Sequence, residues 1–533
     1  MTRRVRLSDL SQRAPDPLVD LEGAALAPLP IPEPPPAPRQ AAPRPSQPEP
    51  IDYPVDGVRA LALPRPASRE EEDALVGRFL AGLEKLFSRE NNWTFLQPLL
   101  LTVEHCARCQ TCSDACHIFE ASGRVEVYRP TYRSEALRRL YFQHVRHGGL
   151  LSAWQHGTIE LNWPLVARLG ELAYRCNLCR RCAQACPIGA DNGLVAREIR
   201  KLFSQELGIA PKELHASGSM LQLKVGSSTG MNAAAVKDNV QFIDEEMAEK
   251  TGPAVETPWD VEGADVLLIH NAGEILSWPE NPGAFGLILT GAGISWTMSS
   301  DLAGYDAVNY GVWYDDAQFA RVAVLHAEVA KKLRVKKIVV GECGHAHKSL
   351  MVVADRLLAG DLNVPRESFL TLLRDIVAGG RLRLDPSRND FPVTLHDPCN
   401  IVRLMGIVEP QREILRCICP RFREMHPHGV DNYCCGGGSG FAIMSANGFE
   451  DWRTRIGGRK KLQQILDAFA DCPDPSVPKY VCAPCSNCKG QIRDLIARYD
   501  LWRTHRLHYG GLVELVVNAM ADLKPGFIEW GPH

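Results

Sequence analysis

Two copies of one cysteine spacing restrict this chain more than any other feature. Cys106, Cys109, Cys112 and Cys116 form C-x2-C-x2-C-x3-C, and Cys176, Cys179, Cys182 and Cys186 repeat it after an interval of 59 residues. Three thiolates this close in sequence wrap three irons of a cubane [4Fe–4S] cluster, and in two-cluster ferredoxins the fourth reaches across to the other cluster. The expected ligand sets are therefore Cys106, Cys109, Cys112 and Cys186 for one cubane, and Cys176, Cys179, Cys182 and Cys116 for the other. Structural zinc is the alternative for clustered thiols, but two tandem copies of this four-cysteine spacing are hard to explain that way. The first copy ends in His117 where the second ends in Pro187, a change that alters the local turn rather than the ligands. Cubane clusters carry one electron each and do no bond chemistry alone, so their presence implies a relay.

The rest of the composition is that of a soluble globular protein, with 45% apolar and 23% charged residues. A net charge of −3 excludes a bulk nucleic-acid or anionic-membrane binder. The paired arginines Arg3 and Arg4 are followed by no apolar stretch before Asp9, so no export signal is expected. No run approaches the roughly 18 apolar residues of a spanning helix, and the apolar stretch 512–517 is short and broken by Glu514. A cytoplasmic chain follows, with any membrane attachment made through a partner. In such a compartment 18 cysteines read as metal ligands rather than as a disulfide framework.

At roughly 150 residues per domain, 533 residues make three to four domains. Residues 1–67 contain 16 of the 38 prolines, which can build neither ladder nor helix, so a disordered or extended tail is expected, a solvated leader or a partner-binding arm. Ser68 followed by Glu70, Glu71 and Glu72 is a helix start, and Leu75, Phe79, Leu83 and Leu86 keep helical spacing after it. Leu137, Leu140, Tyr141 and Val145 do the same between the cysteine blocks, so residues 68–205 read as a helical two-cluster domain. The arginines of that segment, Arg129, Arg133, Arg138, Arg139 and Arg146, read as a solvated face or as a docking site for an acidic protein. Residues 206–260 are polar and read as a connector. Beyond them the runs at 266–269, 337–340 and 391–395 read as buried strands and 320–333 and 459–469 as helices, an α/β region with a parallel sheet.

That C-terminal region carries an internal correspondence. Leu-Ile-His270-Asn-Ala-Gly273 matches Thr-Leu-His396-Asp-Pro-Cys399, and Val-Val-Gly-Glu-Cys343-Gly-His-Ala346 matches Val-Cys-Ala-Pro-Cys485-Ser-Asn-Cys488. Residues 261–388 are thus the degenerate half of a pseudo-repeat and residues 389–533 the half that keeps its sulfurs. Within the latter, Cys399, Cys434, Cys435, Cys485 and Cys488 form a third constellation. Adjacent cysteines fit one tetrahedral ion poorly but can serve different irons of a larger cluster. The glycines Gly436, Gly437 and Gly438 permit close backbone approach. Cys482 offers a second C-x-x-C register, and Cys485 with Cys488 is preferred because Cys343 then falls on Cys485.

Cys399, the Cys434-Cys435-Gly436 triplet and the later C-x-x-C, preceded by two ferredoxin motifs, resemble the CCG-domain family of heterodisulfide reductases and their HdrD-like relatives. The Gly-Glu-Cys343-Gly-His-Ala segment and the single intact CCG half look most like the DsrK branch of that family, over about residues 70–523. The resemblance implies a noncubane [4Fe–4S] cluster on those five cysteines, beside the two cubanes. It implies an oxidoreductase acting on sulfur groups. Partners would be a membrane subunit with b-type haem (DsrM-like), the other DsrMKJOP subunits and a DsrC-like protein disulfide or trisulfide, with no nucleic acid. Candidate catalytic groups are His396, three residues before Cys399, His345, and Cys343, with His347 beside them. Each histidine can equally be an ordinary hydrogen-bonded one. Cys343 can be a sixth cluster contact, a redox-active thiol or a relic of the lost half. Cys417, Cys419 and Cys472 read as plain thiols. The same domain order occurs in relay subunits of flavin-dependent glycolate, lactate or glycerol-3-phosphate dehydrogenases, which is the rival reading.

Overall fold

Helices build the N-terminal part of the molecule and two small parallel sheets the C-terminal part. The structure, a computed structural model, describes residues 5–14, 16–21, 25–34, 53–146, 149–445 and 448–532. They divide into two compact units. One comprises Met1–Pro211, Trp313–Asp315 and Gly436–Lys461; the other comprises Lys212–Val312, Asp316–Cys435 and Leu462–His533.

In the first unit Ser68 accepts a hydrogen bond from the Glu71 amide and starts helix Arg69–Leu86, which buries Leu75, Phe79, Leu83 and Leu86. Helices Pro130–Leu140, Trp163–Ala173 and Asn192–Leu202 pack against one another. Asn162 and Asp191 cap the last two through their side-chain oxygens. The helical reading of residues 68–205 thus matches the backbone.

The stretch expected to be a disordered tail is different where it is described. Leu10, Val55 and Leu61 are buried. Prolines leave this segment little backbone bonding of its own, and arginines from the helical body take up the unpaired carbonyls. Arg168 donates to the carbonyls of Asp9, Leu10 and Gln12 at 2.6–3.1 Å. Arg175 forms a buried two-pronged pair with Asp56 at 2.7 and 2.8 Å. The proline-dense residues 35–52 lie outside the described residues.

The arginine segment also departs from a solvated face. Arg133 and Arg138 are buried, Arg138 and Arg139 both bind Glu135, Arg129 pairs with Glu126, and Arg146 pairs with Glu104. These cations are buried or paired within the chain, which removes the open basic surface a docking site would need.

In the second unit the strands are β1 (Val266–Ile269), β2 (Trp296–Thr297), β3 (Lys337–Val340), β4 (Arg366–Ser368), β5 (Val393–Leu395), β6 (Phe422–Arg423), β7 (Lys479–Cys482) and β8 (Leu507–Gly510). They form two parallel four-stranded sheets, ordered β2-β1-β3-β4 and β6-β5-β7-β8. Ile269 lies opposite Val340 in one and Leu395 opposite Cys482 in the other. A single apolar core contains Val266, Leu268 and Val339 together with Val393, Leu395, Tyr480 and helix Leu512–Ala519. Residues 261–388 and 389–533 are therefore not separate bodies, and Gly436–Lys461 is counted with the first unit. The stretch 206–260 is likewise no simple connector. It contains helix Ala233–Thr251, whose Val236, Val240, Ile243 and Met247 enter that core. Their helical spacing is present in the sequence but is diluted by intervening charged residues.

Candidate iron–sulfur centres

The two ferredoxin-type blocks fold alike. Each begins after a loop and runs into a one-turn helix, Thr111–Asp114 in the first and Arg181–Gln184 in the second. Arg108 and Gln110 in one block, and Leu178 and Arg180 in the other, take positive φ between 52° and 70°. Left-handed backbone at a non-glycine residue costs about 1–2 kcal/mol. Two such residues per block curl the chain so that side chains three apart turn to one side, as a cluster requires.

The electrostatic neighbours of the thiols cross between the blocks. Cys112, pushed up to about 11 by burial, is next influenced by Cys106 and Cys186 and then by Cys109. Cys116, pushed up to about 12 by burial, feels Cys179 and Cys176. Cys182 is raised by burial, then by Asp191, Cys176, Cys179 and Cys116. Cys116 thus lies near Cys176, Cys179 and Cys182, and Cys186 near Cys112. His117, in the place usually held by proline, donates from Nε2 to Asn177 Oδ1 at 3.0 Å, and Asn177 donates in turn to the Gly436 carbonyl at 2.8 Å.

The third constellation gathers at the C-terminal ends of β5 and β7. His396 follows β5, and Cys399 opens helix Cys399–Leu404. Cys485 follows β7 at the start of helix Ser486–Arg498, which places Cys488 one turn on. The Cys435 and Cys488 sulfurs are 3.3 Å apart, and a ring nitrogen of His396 lies within 4.8 Å of both. Hydrogen bonds with Cys434 and Cys488 hold the Cys435 thiol well below its ordinary value, and a bond with Cys488 lowers Cys485. Cys488 is held neutral by the same bonds. Packed thiols with two of them favouring the anion are a donor set suited to soft iron rather than to hard cations. Cys434, Cys435, Cys485 and Cys488 are buried, and Cys399 is half-buried.

Two glycines make the gathering possible. A Cβ on Gly344 would stand 3.3 Å from Cys485 Sγ and 3.4 Å from Pro398 Cβ, and the Gly344 amide donates to Cys485 Sγ at 3.3 Å. Gly436, directly after the cysteine pair, has φ 95°, and a Cβ there would meet the Gly457 carbonyl carbon at 2.4 Å. Asp397 organises the approach. Burial opposes its charge, but two-pronged bonds from Arg412 at 2.9 and 2.6 Å prevail and keep it ionised. It also accepts from the Gly429 amide at 2.7 Å, and its own carbonyl accepts from Asn432. Asp397 thereby ties the segment leading into Cys434 to the loop carrying Cys399, a function that nothing in its local sequence signals.

Other candidates stand elsewhere. Cys343 is buried, accepts weakly from Asn271 Nδ2 and the Ala346 amide at 3.4 Å, and is raised by burial and then by Cys485. His345, pushed down to about 3 by burial, bonds the Asn309 carbonyl at 2.8 Å and stacks on Tyr310. His347 bridges the Cys343 carbonyl and Ser368 Oγ. Cys482 and Cys419 are part of the apolar core, while Cys417 is exposed and Cys472 half-exposed. A cleft of about 580 Å³ opens beside β6, lined by Arg421, Arg423, Glu424, His426, Asp467 and Asp471 among others, and no cysteine lines it.

Residues 102–190 match the 4Fe-4S dicluster domain family, and residues 393–493 match the cysteine-rich CCG domain family. The chain is 26% identical over 468 residues to the Hdr-like menaquinol oxidoreductase iron-sulfur subunit 2 of Archaeoglobus fulgidus, covering 79% of this chain and 80% of that one. It is 23% identical over 402 residues to a subunit of the dihydromethanophenazine:CoB–CoM heterodisulfide reductase of Methanosarcina acetivorans, covering 74% of this chain and 89% of that protein. The probable iron-sulfur-binding oxidoreductase FadF of Bacillus subtilis is 23% identical over 478 residues, covering 81% of this chain and 62% of FadF. The chain thus has the make-up of an iron–sulfur electron-transfer protein, a dicluster domain followed by a CCG domain. More particularly, it is similar to the iron–sulfur subunits of heterodisulfide reductase-like oxidoreductases. No helix among the described residues is long and apolar enough to cross a membrane.

Proposed function

We propose that this chain is a DsrK-type subunit that exchanges electrons between a membrane partner with b-type haem and the cysteine disulfide or trisulfide of a DsrC-like protein. The observation that carries the reading is the convergence of His396, Cys435 and Cys488 within 4.8 Å at the ends of β5 and β7. In this reading Cys399, Cys434, Cys435, Cys485 and Cys488 hold a noncubane [4Fe–4S] cluster, which supplies single electrons to a sulfur centre. The ligand sets of the two cubanes are the crossed ones, a choice supported by the neighbours of Cys112, Cys116 and Cys182.

Opening a disulfide to two thiols consumes two electrons and two protons. His396, beside the thiols, is the group placed to hold such a proton. His345 and His347 are less suited, since both are buried, bonded and strongly biased to the neutral form. The half-buried Cys399 marks the side from which substrate sulfur would arrive. Identical strand order and matched register in the two sheets support reading residues 261–388 and 389–533 as a degenerate and an intact half of one repeat. The likeness to a menaquinol oxidoreductase subunit supports a cytoplasmic chain attached to the membrane through DsrM-like and other DsrMKJOP partners.

A second reading, a pure relay beside a flavin dehydrogenase, is favoured by the burial of four of the five cysteines and by the likeness to FadF. One experiment separates the two. Reduced DsrC-like protein added to the oxidised, cluster-loaded chain should induce new paramagnetic signals that vanish when its cysteines are alkylated. No response to DsrC, together with rapid reduction by a flavin dehydrogenase, establishes the relay instead.

A further inference from the structure

A guanidinium taken out of water is normally met by a carboxylate, because an unpaired buried charge is costly. The first unit follows this rule at Arg175 with Asp56, at Arg197 with Glu198 and at Arg138 with Glu135. Arg168 breaks it with tail carbonyls alone around its guanidinium, and Arg133 and Arg200 break it beside cysteines. Arg133, on helix Pro130–Leu140, is buried, and its Nε and Nη1 meet no hydrogen-bond partner among the described residues. Arg200, on helix Asn192–Leu202, is fully buried and gives its donors only to neutral groups. These are the Ala173 carbonyl at 2.9 and 3.1 Å, the Cys176 carbonyl at 2.7 Å, and Ser439 Oγ. Its guanidinium also lies 4.2 Å from the Tyr174 ring centroid. Burial pulls it down to about 10.

What the two cations face is sulfur. Arg200 is bonded to the backbone of Cys176 itself at 2.7 Å, and Arg133 lies within electrostatic reach of Cys116. The two guanidiniums also repel each other, so they share one region of the interior. The acid beside the same thiols, Asp191 near Cys182, is already paired with Arg180 at 2.6 Å. Among the described residues the other four thiols lie in a more open setting. Cys109 is exposed, Cys106 and Cys186 are half-exposed, and after burial the leading influences on Cys112 are other thiols. A cubane on four thiolates is an anion and gains one further negative charge on reduction. Burial alone disfavours that step, and fixed cations offset the penalty.

We propose that Arg133 and Arg200 are the built-in counter-cations of the cubane held by Cys116, Cys176, Cys179 and Cys182, and make it the higher-potential of the two relay stations. They are positioning residues that act through the field at the cluster. The inference rests on the crossed ligand sets proposed above.

The test is an anaerobic redox titration of the full-length reconstituted chain, followed by electron paramagnetic resonance. Arg133→Met removes one charge without breaking a hydrogen bond seen among the described residues. It should lower one cubane wave by at least a tenfold change in the reduction constant, about 59 mV for one electron, and leave the other in place. Arg200→Gln should move the same wave in the same direction, and Arg200→Lys should restore most of it. Two waves at their original potentials in Arg133→Met, or equal movement of both, overturns the inference even if Arg200→Gln fails to fold. Fewer than two cubane waves in the unaltered chain would instead remove the ligand sets, and this inference with them.

Discussion

At the ends of β1 and β3 the chain presents His270, Asn271 and Cys343; at the ends of β5 and β7 it presents His396, Asp397 and Cys485. The parallel strand pairing is the same at both places, and Cys343 and Cys485 each donate the amide two residues back at 2.7 Å. The chemistry differs. In the first sheet Asn271 accepts from the Gly273 amide at 2.7 Å and reaches Cys343 Sγ at 3.4 Å, so the turn closes with amide hydrogen bonds around one thiol. In the second sheet the segment after β5 carries Cys399 and an Asp397 bound to Arg412, and four buried thiols crowd together. The second end is a packed set of thiols, donors of the kind that soft metals take.

Between these two ends runs a seam of buried charge. Ser486 donates to Glu274 Oε1 at 2.6 Å, and its amide donates to the Glu342 carbonyl at 2.8 Å. Lys489, next to Cys488, lies 3.6 Å from Glu342 and 3.7 Å from Glu514. Glu342 also accepts from Asn281 and from the amides of Leu512 and Val513. The two sheets are thus joined by polar bonds as well as by the shared apolar core.

The largest contrast should come from removing one sulfur from each end. Cys434→Ala is expected to lower iron from about twelve to about eight per reconstituted chain, whereas Cys343→Ala should leave about twelve. Iron analysis with visible spectra reads both, and equal loss in the two variants would erase the contrast. Next is the seam. Lys489→Met leaves Glu342 and Glu514 facing each other without their cation and should cost about 3–5 kcal/mol in denaturant unfolding at pH 8. An effect under about 1 kcal/mol would mean the sheets do not depend on it.

Glu342 itself gives a pH signature. Burial pushes it up to about 7, so the folded chain holds this proton more tightly than the unfolded one. Its contribution to stability is therefore greatest below about pH 4.5 and declines as pH rises through 7. Glu342→Gln should flatten that decline, measured as the unfolding midpoint between pH 5 and 8; an unchanged slope would assign the pH dependence elsewhere. The smallest effect is expected at Asn271. Asn271→Ala loses the bond to Gly273 and the contact with Cys343, at about 1 kcal/mol, with no change in iron. Loss of iron there would show that the first end also supports the cluster.

Much of the framework was legible in the chain. The Ser68 cap, β1 and β3 fell where local pattern placed them, because a capping hydroxyl or a run of three or four apolar residues is a local signal. The strands β2, β4 and β6 were not legible. They are two or three residues long and exist only because a neighbouring strand offers hydrogen bonds. Helix Ala233–Thr251 had the right spacing but so many charges that it read as linker. Arg133 and Arg138 read as surface for the same reason, since a charged letter carries no information about the partner that lets it be buried.

The candidate site divides in the same way. Cysteine spacing alone marked the two ferredoxin blocks, because three ligands of a cubane must come from one tight loop and local sequence encodes that loop. The third site draws on Cys399, the pair Cys434-Cys435, and Cys485 with Cys488, which only the parallel pairing of β5 with β7 brings to one sheet end. Position likewise separates the two C-x-x-C registers, since Cys482 is part of an apolar core while Cys488 meets Cys435 at 3.3 Å. Local composition determined which residues could bind metal. Long-range strand pairing, and the burial it imposes, decided which of them stand together.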